Sequence, residues 1–365
     1  MTTHRRVAVS AVAIAGMLAL AGCGAANEGG SGSTGNSNGG GNLSGRISGA
    51  GASSQAAAVE AWKAGFEGKN SGVTVNYDPV GSGGGRTQFL SGGVQFAGSD
   101  AFLKADELTK ASTACHGGEV VEFPGYISPI AVAYKVEGVD DLQLSAATLA
   151  GIFNGTIKTW NDPKIAEDNP GKSMPSTNVT PVHRSDESGT TQNFTDYLNK
   201  AAPSVWTHKA EGTWPISGGE AAKGTTGVVQ AINAGNGTIG YADASQIGSL
   251  KHAKVKVGNE FVAYSPEAAA KIVEVSERVA DRPQYSYAVN LKRDTTEQGA
   301  YPIVLVSYEL ACTKYQDANT AAMVKSWLSY IASDEGQQVA AKAAGSAPIS
   351  SATRDIAMKG INAIS

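Results

Sequence analysis

The sequence predicts an α/β fold divided into two lobes, and three observations lead to that expectation. Short apolar segments of strand character alternate with segments whose apolar residues have helical spacing. About 320 residues follow a glycine-rich N-terminal stretch, which is more than one hydrophobic core usually supports. Apolar residues make up 41% of the chain and charged residues 17%, so a substantial core can form.

Residues 1–22 have the features of a secretory signal peptide. Arg5 and Arg6 precede the apolar run VAVSAVAIAGMLAL, which is too short to span a bilayer comfortably. The run ends in LAGC, which resembles the lipobox of bacterial lipoproteins, where the cysteine is acylated. We therefore expect a lipid on Cys23; the alternative is an ordinary secretory peptide with a chance cysteine.

The stretch up to residue 42 is rich in glycine, serine and asparagine and has almost nothing to bury. Such a composition is typical of a flexible tether. Residues 23–42 are thus expected to form a lipid anchor and a tether that hold the protein at the extracytoplasmic face of the cell membrane.

Charge and motif content exclude several function classes. The net charge is −4 and no run of lysine or arginine occurs, so a nucleic-acid partner is not expected. The sequence contains no CxxC, HExxH or Cys/His cluster, and no metal or other cofactor is expected. Cys115 and Cys312 remain as an even pair in an exported protein, which favours a disulfide over two buried free thiols.

The elements alternate in order from Leu43. The segments with strand character are LSGRISGAGASS, GVTVNYDPVGSGGG, VQFAGSDAFL, EVVEFPGYISPIAVAYKV (two strands broken by Pro124 and Gly125), NVTPVHRS, the end of KGTTGVVQAINAGNGTIGYAD, and YPIVLVSYELAC. The segments with helical spacing are QAAAVEAWKAGFEGKN, a helix starting at RTQFLSG, SAATLAGIF, TDYLNK, the start of KGTTGVVQAINAG, PEAAAKIVEVSERVAD, and a C-terminal pair in NTAAMVKSWLSYIASDEGQQVAAKAA.

Three strand-to-helix joints carry glycine and hydroxyl residues, at 49–54, 81–86 and 184–191. A helix N-terminus has unpaired backbone N–H groups and a partial positive charge. Several such ends that converge on one point can bind an anion with few cationic side chains. The repeated joint therefore indicates an anion site.

The third joint, HRSDESGTTQNF, is the richest of the three. Ser188, Gly189 and Thr190 stand where a helix would start, and Arg184 lies four residues upstream. Helix capping alone would explain one hydroxyl but not the arginine. A hydrolase would need a base beside Ser188; His183 is adjacent to Arg184 on a strand and so faces the other side, and no G-x-S-x-G motif occurs.

The other two joints have weaker signals. GSGGGR, residues 81–86, lacks the Gly-Lys-Ser/Thr end of a P-loop, so it is either an anion loop or a flexible turn. Asp100 follows a strand and could simply cap a helix. In an anion pocket it would accept the proton that phosphate retains and would repel sulfate, which has none.

Together GAGASS, GSGGG, FAGSDAFL and HRSDESGTT resemble the phosphate-binding proteins of Pst-type ABC importers, over essentially the whole mature chain. The resemblance implies that Ser53 and Ser54 contribute a hydroxyl and backbone N–H groups, although family members often have Thr-Phe there. It further implies phosphate contacts from the positions that match the remaining motifs, which are Ser82, Asp100, Arg184, Ser188, Gly189 and Thr190. Asp186 is expected to pair with Arg184.

The resemblance also implies a type II periplasmic-binding-protein fold with the ligand cleft between two lobes. Residues 43–124 and 298–365 would form lobe I, and residues 125–297 lobe II. The implied function is capture of inorganic phosphate for a membrane permease with ATPase subunits, without catalysis. Binding of another oxyanion, such as sulfate or molybdate, and a secreted phosphoesterase are the alternatives.

Overall fold

The structure, a computed structural model, describes residues 43–365. The expected signal peptide, the lipidation site Cys23 and the tether lie outside the described residues. None of the helices formed by residues 43–365 has the length and apolar character that a membrane crossing requires.

Strands and helices alternate along most of the described chain, as predicted. The strands are β1 (Gly45–Gly51), β2 (Val73–Asp78), β3 (Phe96–Ser99), β4 (Val120–Lys135), β5 (Gln143–Leu144), β6 (Thr180–Arg184), β7 (Glu220–Ala222), β8 (Thr238–Asp243), β9 (Lys251–His252), β10 (Lys254–Val257), β11 (Glu260–Val262), β12 (Glu277–Arg278), β13 (Val289–Asn290) and β14 (Val304–Cys312). The helices are α1 (Ala56–Lys69), α2 (Ser82–Leu90), α3 (Ala105–Ala114), α4 (Ala146–Phe153), α5 (Pro163–Asp168), α6 (Gly189–Ala201), α7 (Gly224–Ala234), α8 (Pro266–Glu274), α9 (Ala318–Ala332), α10 (Asp334–Ala344) and α11 (Ser351–Asn362), with a short 3-10 helix at Ala244–Gln246.

One large sheet runs through the described chain in the order β2-β1-β3-β14-β4-β8-β6-β7. Strand β1 is parallel to β2 and β3, and β6 is parallel to β7 and β8. Strand β14 returns from the C-terminal part of the chain and pairs antiparallel with both β3 and β4. Within each parallel group the C-terminal strand ends share one edge, which is where open α/β sheets bind their ligands.

Strand β4 is continuous where the sequence predicted two strands broken by Pro124 and Gly125. Its first part pairs with β14, and its last part, from Ile130 onward, pairs with β8. The register shifts opposite β14, so Gly125 is the extra residue of a β-bulge. A Cβ atom on Gly125 would lie 2.5 Å from Cγ of Glu309, which explains the glycine there. The bulge thus absorbs the irregularity without ending the strand.

Helix α2 begins at Ser82 rather than at Arg86, so Gly81 is its N-cap and the other three glycines of the second joint lie inside the helix. Close packing explains why they are glycines. A Cβ atom on Gly85 would lie 2.4 Å from Cα of Gly51. The run is therefore a tightly packed helix start and not a free loop.

Two further differences concern the C-terminal third of the chain. Helix α8 ends at Glu274, short of the predicted end, because residues 277–278 pair with β13 instead. Helix α11 was not predicted; Ser350 caps it by accepting a hydrogen bond from the N–H of Thr353. The end of α8 depends on strand pairing that local spacing does not reveal, whereas the cap of α11 is a local signal.

A disulfide joins Cys115, at the end of α3, to Cys312, at the end of β14, across 197 positions. Both cysteines are buried. Because β14 runs antiparallel to β3, Cys312 lies at the edge of the sheet opposite to the C-terminal end of β3. The bond therefore ties the first and last parts of the described chain together, away from the edge where the predicted site residues lie.

Candidate anion-binding site

Asp100 follows β3 and is the centre of the candidate site, with only 3% of its surface exposed. Its carboxylate accepts hydrogen bonds from Ser54 Oγ (2.7 and 2.8 Å to the two oxygens), Thr190 Oγ1 (2.8 Å) and Ser307 Oγ (2.9 Å). Its backbone N–H donates to Ser82 Oγ at 3.1 Å. Each of the three predicted joints therefore contributes a hydroxyl that contacts this one residue.

The pKa of Asp100 reflects two opposing effects. Burial disfavours the charged carboxylate and raises the pKa. The hydroxyls of Ser54, Thr190 and Ser307, followed by the charge of Arg184, favour the charged form and lower it. The net direction is upward, so the hydroxyls offset only part of the effect of burial.

Helix α6 begins directly against Asp100. Ser188 caps the helix by accepting from the N–H of Thr191 at 3.2 Å, as its hydroxyl type predicts. The N–H groups of Gly189 and Thr190, in the first turn, have no partner within the helix. A Cβ atom on Gly189 would lie 2.6 Å from Cβ of Asp100, so only glycine permits this approach.

Arg184 is the cation of the site and is 3% exposed. Its Nε and Nη2 donate to Asp186 at 2.7 and 2.5 Å, which is the pairing that the sequence analysis expected. Burial alone would raise the pKa of Asp186, but the hydrogen bonds and charge of Arg184 hold it below its ordinary value. A guanidinium has five N–H donors, so this pairing fixes its orientation and leaves donors for a ligand.

A fourth helix start, that of α7, also reaches the site; the sequence predicted this helix but not its place at the site. The backbone N–H of Gly224 donates to Asp186 Oδ1 at 3.0 Å. The backbone N–H of Thr225 donates to Ser53 Oγ at 3.1 Å, and the two hydroxyls are 3.0 Å apart. The sequence did carry a signal, because KGTTG repeats the Gly-Thr-Thr triplet of the third joint at another helix start.

Several further contacts join segments that are far apart in sequence. Asn193 Nδ2 donates to the backbone oxygens of Asp100 (2.7 Å) and Gly189 (2.9 Å). Gln246 Nε2 donates to the backbone oxygens of Ser53 (2.8 Å) and Ser54 (2.7 Å). These amides hold the loops around Asp100 and at the start of α1, and neither was singled out from the sequence.

Arg86 serves a structural role rather than facing a ligand. Its guanidinium donates to Glu187 (2.7 Å), Glu107 (2.8 Å) and Ser99 (3.0 Å). Because Glu187 precedes α6, this ion pair connects the second joint to the third. The Arg86 side chain is buried, whereas that of Glu187 is partly exposed to solvent.

His183 does not provide a base for Ser188. Its ring stacks on Trp214 with the centroids 4.9 Å apart. Its two ring nitrogens lie 3.0 and 3.1 Å from the backbone oxygens of Arg184 and Gly218. Within residues 43–365 there is no group of three or more His, Cys, Asp or Glu side chains that could hold a metal ion. Nothing at this junction resembles an activated nucleophile.

The structure therefore brings the predicted contact residues to one buried junction. These residues are Ser53, Ser54, Ser82, Asp100, Arg184, Ser188, Gly189 and Thr190, with Asp186 behind Arg184. A cavity of about 120 Å³ lies beside them, and Asp100, Asn193, Arg293 and Tyr308 are among the residues that line it.

Known proteins share both the sequence and the fold. A family model described as a PBP superfamily domain matches residues 33–335. The phosphate-binding protein PstS 3 of Mycobacterium leprae is 34% identical over 286 residues, covering 77% of each chain. PstS 3 of Mycobacterium tuberculosis is 33% identical over 340 residues, covering 90% of each chain.

Two solved structures show the same α/β fold. A periplasmic phosphate-binding protein called PfluDING, bound with phosphate, superposes with a TM-score of 0.69 at 24% identity, covering 85% of this chain and 92% of that one. The phosphate-binding protein of Stenotrophomonas maltophilia gives a TM-score of 0.67 at 21% identity, covering 87% and 94%. These neighbours confirm the predicted two-lobed fold. On the sequence relationships above, the chain belongs to the PstS family of phosphate-binding proteins.

Proposed function

We propose that this protein binds inorganic phosphate at the junction around Asp100 and delivers it to the permease of a phosphate ABC importer. One observation carries the proposal: a buried carboxylate, a buried guanidinium and the starts of several helices meet at one point. That combination suits an oxyanion that also carries a proton. Relatives at 33–34% identity are named as phosphate-binding proteins.

Each predicted residue has a distinct role in this proposal. Arg184 supplies the positive charge, and Asp186 fixes its orientation. Gly189 and Thr190 offer backbone N–H groups at the start of α6, where the helix dipole favours an anion. Hydroxyls of Ser53, Ser82 and Ser188 complete the hydrogen bonds to the phosphate oxygens, and Ser54, whose hydroxyl is bonded to Asp100, contributes its backbone N–H.

Asp100 provides the specificity. Phosphate retains at least one proton at neutral pH and can donate it to the ionised carboxylate. Sulfate has no proton, so its oxygens would meet a buried negative charge without a hydrogen bond. Rejecting a ligand by leaving a buried charge unpaired is a general route to specificity.

The family works outside the cytoplasm as the binding component of a transporter, and this chain is not an enzyme. We extend this to a lipid on Cys23, supported by the LAGC motif, and to a tether over residues 23–42. The proposed lobes are residues 43–124 with 298–365, and residues 125–297. Arg184 then belongs to lobe II and Asp100 to lobe I, so ligand contacts from both would favour the closed state.

Calorimetry on the purified protein tests the proposal. We expect tight phosphate binding, negligible sulfate or molybdate binding, and no hydrolysis of a phosphate ester. Sulfate affinity comparable to that for phosphate would refute the choice of ligand. Turnover of the ester would refute the assignment as a binding protein.

A further inference from the structure

Ser307 contacts the candidate site from behind and has no role in the function proposed above. It lies on β14, is fully buried, and its hydroxyl donates to Asp100 Oδ1 at 2.9 Å. Strand β14 comes from the C-terminal part of the chain and lies next to β3, the strand that Asp100 follows. The contact is thus built by the sheet and not by the loops that surround a ligand.

With Ser307 included, three hydroxyls donate to one carboxylate. Ser54 is shared between the two oxygens, Ser307 bonds Oδ1 and Thr190 bonds Oδ2. An ionised carboxylate offers about four lone-pair positions and no donor. The arrangement therefore leaves room for about one further hydrogen bond, which suits the single proton of a bound phosphate.

Protonation of Asp100 would disrupt this arrangement. A protonated carboxyl group would place its own O–H at the one remaining position, which is the position that the proton of a bound phosphate would use. The three hydroxyls would then donate to a neutral group, and such hydrogen bonds are weaker than those to a charged carboxylate. The three hydroxyl contacts with Asp100 thus favour its ionised form.

We propose that Ser307 is a positioning residue for anion selectivity, which holds Asp100 in its ionised form and so extends the rejection of proton-free oxyanions to lower pH. The inference rests on the proposed function, because it assumes that Asp100 accepts the proton of phosphate. It adds a residue of β14 that no ligand would touch. The chemical class that it excludes is the fully deprotonated oxyanion, for which sulfate is the probe.

Two other buried acids near Asp100 become charged only at higher pH. Burial raises the pKa of Asp243 to about 7 and that of Glu309 to about 8, so both acids are already neutral below about pH 6. The charge of Arg184, on β6, lowers the pKa of Asp100. The charge of Asp100 in turn raises the pKa of three groups on β2, β8 and β14, which are Tyr77, Asp243 and Glu309. Arg184 is paired with Asp186, and Arg293, which lines the same cavity as Asp100, is paired with Asp196. Asp100 is the carboxylate at the centre of the site, so its charge is the one that directly opposes sulfate.

The test measures sulfate and phosphate affinity by calorimetry between about pH 4.5 and pH 7.5 for the parent and for Ser307→Ala. Sulfate binding requires protonated Asp100, so its affinity should rise as pH falls. Losing one hydrogen bond to the charged carboxylate should move this rise upward by about one pH unit. At a given acidic pH the variant should bind sulfate about tenfold more tightly than the parent.

Two control variants separate this role from a general packing effect. Ser128→Ala removes an equally buried hydroxyl from the neighbouring strand β4. The Oγ atom of Ser128 lies 3.4 Å from the backbone oxygen of Pro129. We expect its sulfate profile to match that of the parent. Ser307→Thr keeps the hydroxyl and should restore the parent profile. If Ser307→Ala folds poorly, Ser54→Ala removes another hydroxyl from the same carboxylate and should shift the profile in the same direction.

Coincident sulfate profiles for the parent and Ser307→Ala would overturn the inference, as would an equal shift in Ser128→Ala. In both cases the proposed function would stand as long as the parent binds phosphate and rejects sulfate at neutral pH. A parent that binds no phosphate would instead refute the proposed function, and this inference with it.

Discussion

Replacing Gly189 by alanine should block closure around the ligand. In the structure a Cβ atom at this position would lie 2.6 Å from Cβ of Asp100 and 2.7 Å from Oγ of Ser82. Carbon atoms pack at about 3.5 Å, so α6 would have to withdraw by about 1 Å. Nothing in the helix itself opposes the change, because alanine is a better helix former than glycine.

The size of the effect follows from the hydrogen bonds that cross this contact. Thr190 donates to the Asp100 carboxylate at 2.8 Å, and Asn193 donates to its backbone oxygen at 2.7 Å. A withdrawal of about 1 Å would lengthen both beyond the usual limit of about 3.2 Å. Losing one charge-assisted and one neutral hydrogen bond costs about 3 kcal/mol, or roughly a hundredfold in phosphate affinity.

Calorimetry gives the affinity, and thermal unfolding without ligand gives the stability. Gly68→Ala is the matched control, because Gly68 lies in α1 and a Cβ atom there meets nothing within 4 Å. We expect the control to bind like the parent and to be at least as stable, and we expect Gly189→Ala to lose affinity while it still unfolds cooperatively. Parent-like phosphate affinity in Gly189→Ala would contradict the closed geometry on which the site is built.

Three other predictions concern α7, a buried acid and the disulfide. Thr225→Val should weaken phosphate binding about fivefold in calorimetry, because it removes the hydroxyl that contacts Ser53. Thr226 is exposed on the same turn, so Thr226→Val should have no effect. Equal losses of affinity in the two variants would argue against a role for the Thr225 contact. Burial raises the pKa of Glu309 to about 8, so its contribution to stability is full below about pH 4.5 and is lost as pH rises through 8. Glu309→Gln should therefore reduce the fall in Tm between about pH 5 and pH 8.5. An unchanged fall in Tm would refute the raised pKa of Glu309. Replacing Cys115 and Cys312 together by serine should lower the free energy of unfolding by roughly 2–5 kcal/mol in denaturant titrations. Phosphate affinity should stay within about twofold of the parent. A large loss of affinity would show that the disulfide also maintains the binding site.

Local signals marked the three joints, and the resemblance to the Pst-type family then assigned the individual contact residues within them. Serine or threonine followed by a helix, after a strand, marks a helix start wherever it occurs. Parallel strands then bring such starts to a common edge, so Ser54, Ser82 and Thr190 meet at Asp100. Helix α7 has the same signal at Gly224, but its preceding strand is only three residues long and was not recognised.

The residues that the sequence did not reveal depend on long-range pairing. Ser307 reaches Asp100 because β14 inserts between β3 and β4, and nothing within YPIVLVSYELAC indicates which strands it will neighbour. Glu309, two positions later, interrupts an otherwise apolar strand in the sequence, yet its side chain is fully buried beside the β-bulge. The continuity of β4 past Pro124 was likewise decided by its pairing with β14 and β8.

The central claim is that the protein recognises its anion by the proton that the anion carries, through the ionised carboxylate of Asp100. Calorimetry of Asp100→Asn with phosphate and with sulfate near neutral pH tests it directly, because the amide keeps the shape of the side chain and removes its charge. We expect phosphate affinity to fall and sulfate affinity to rise, so that the preference largely disappears. A preference for phosphate as strong as that of the parent would contradict the claim.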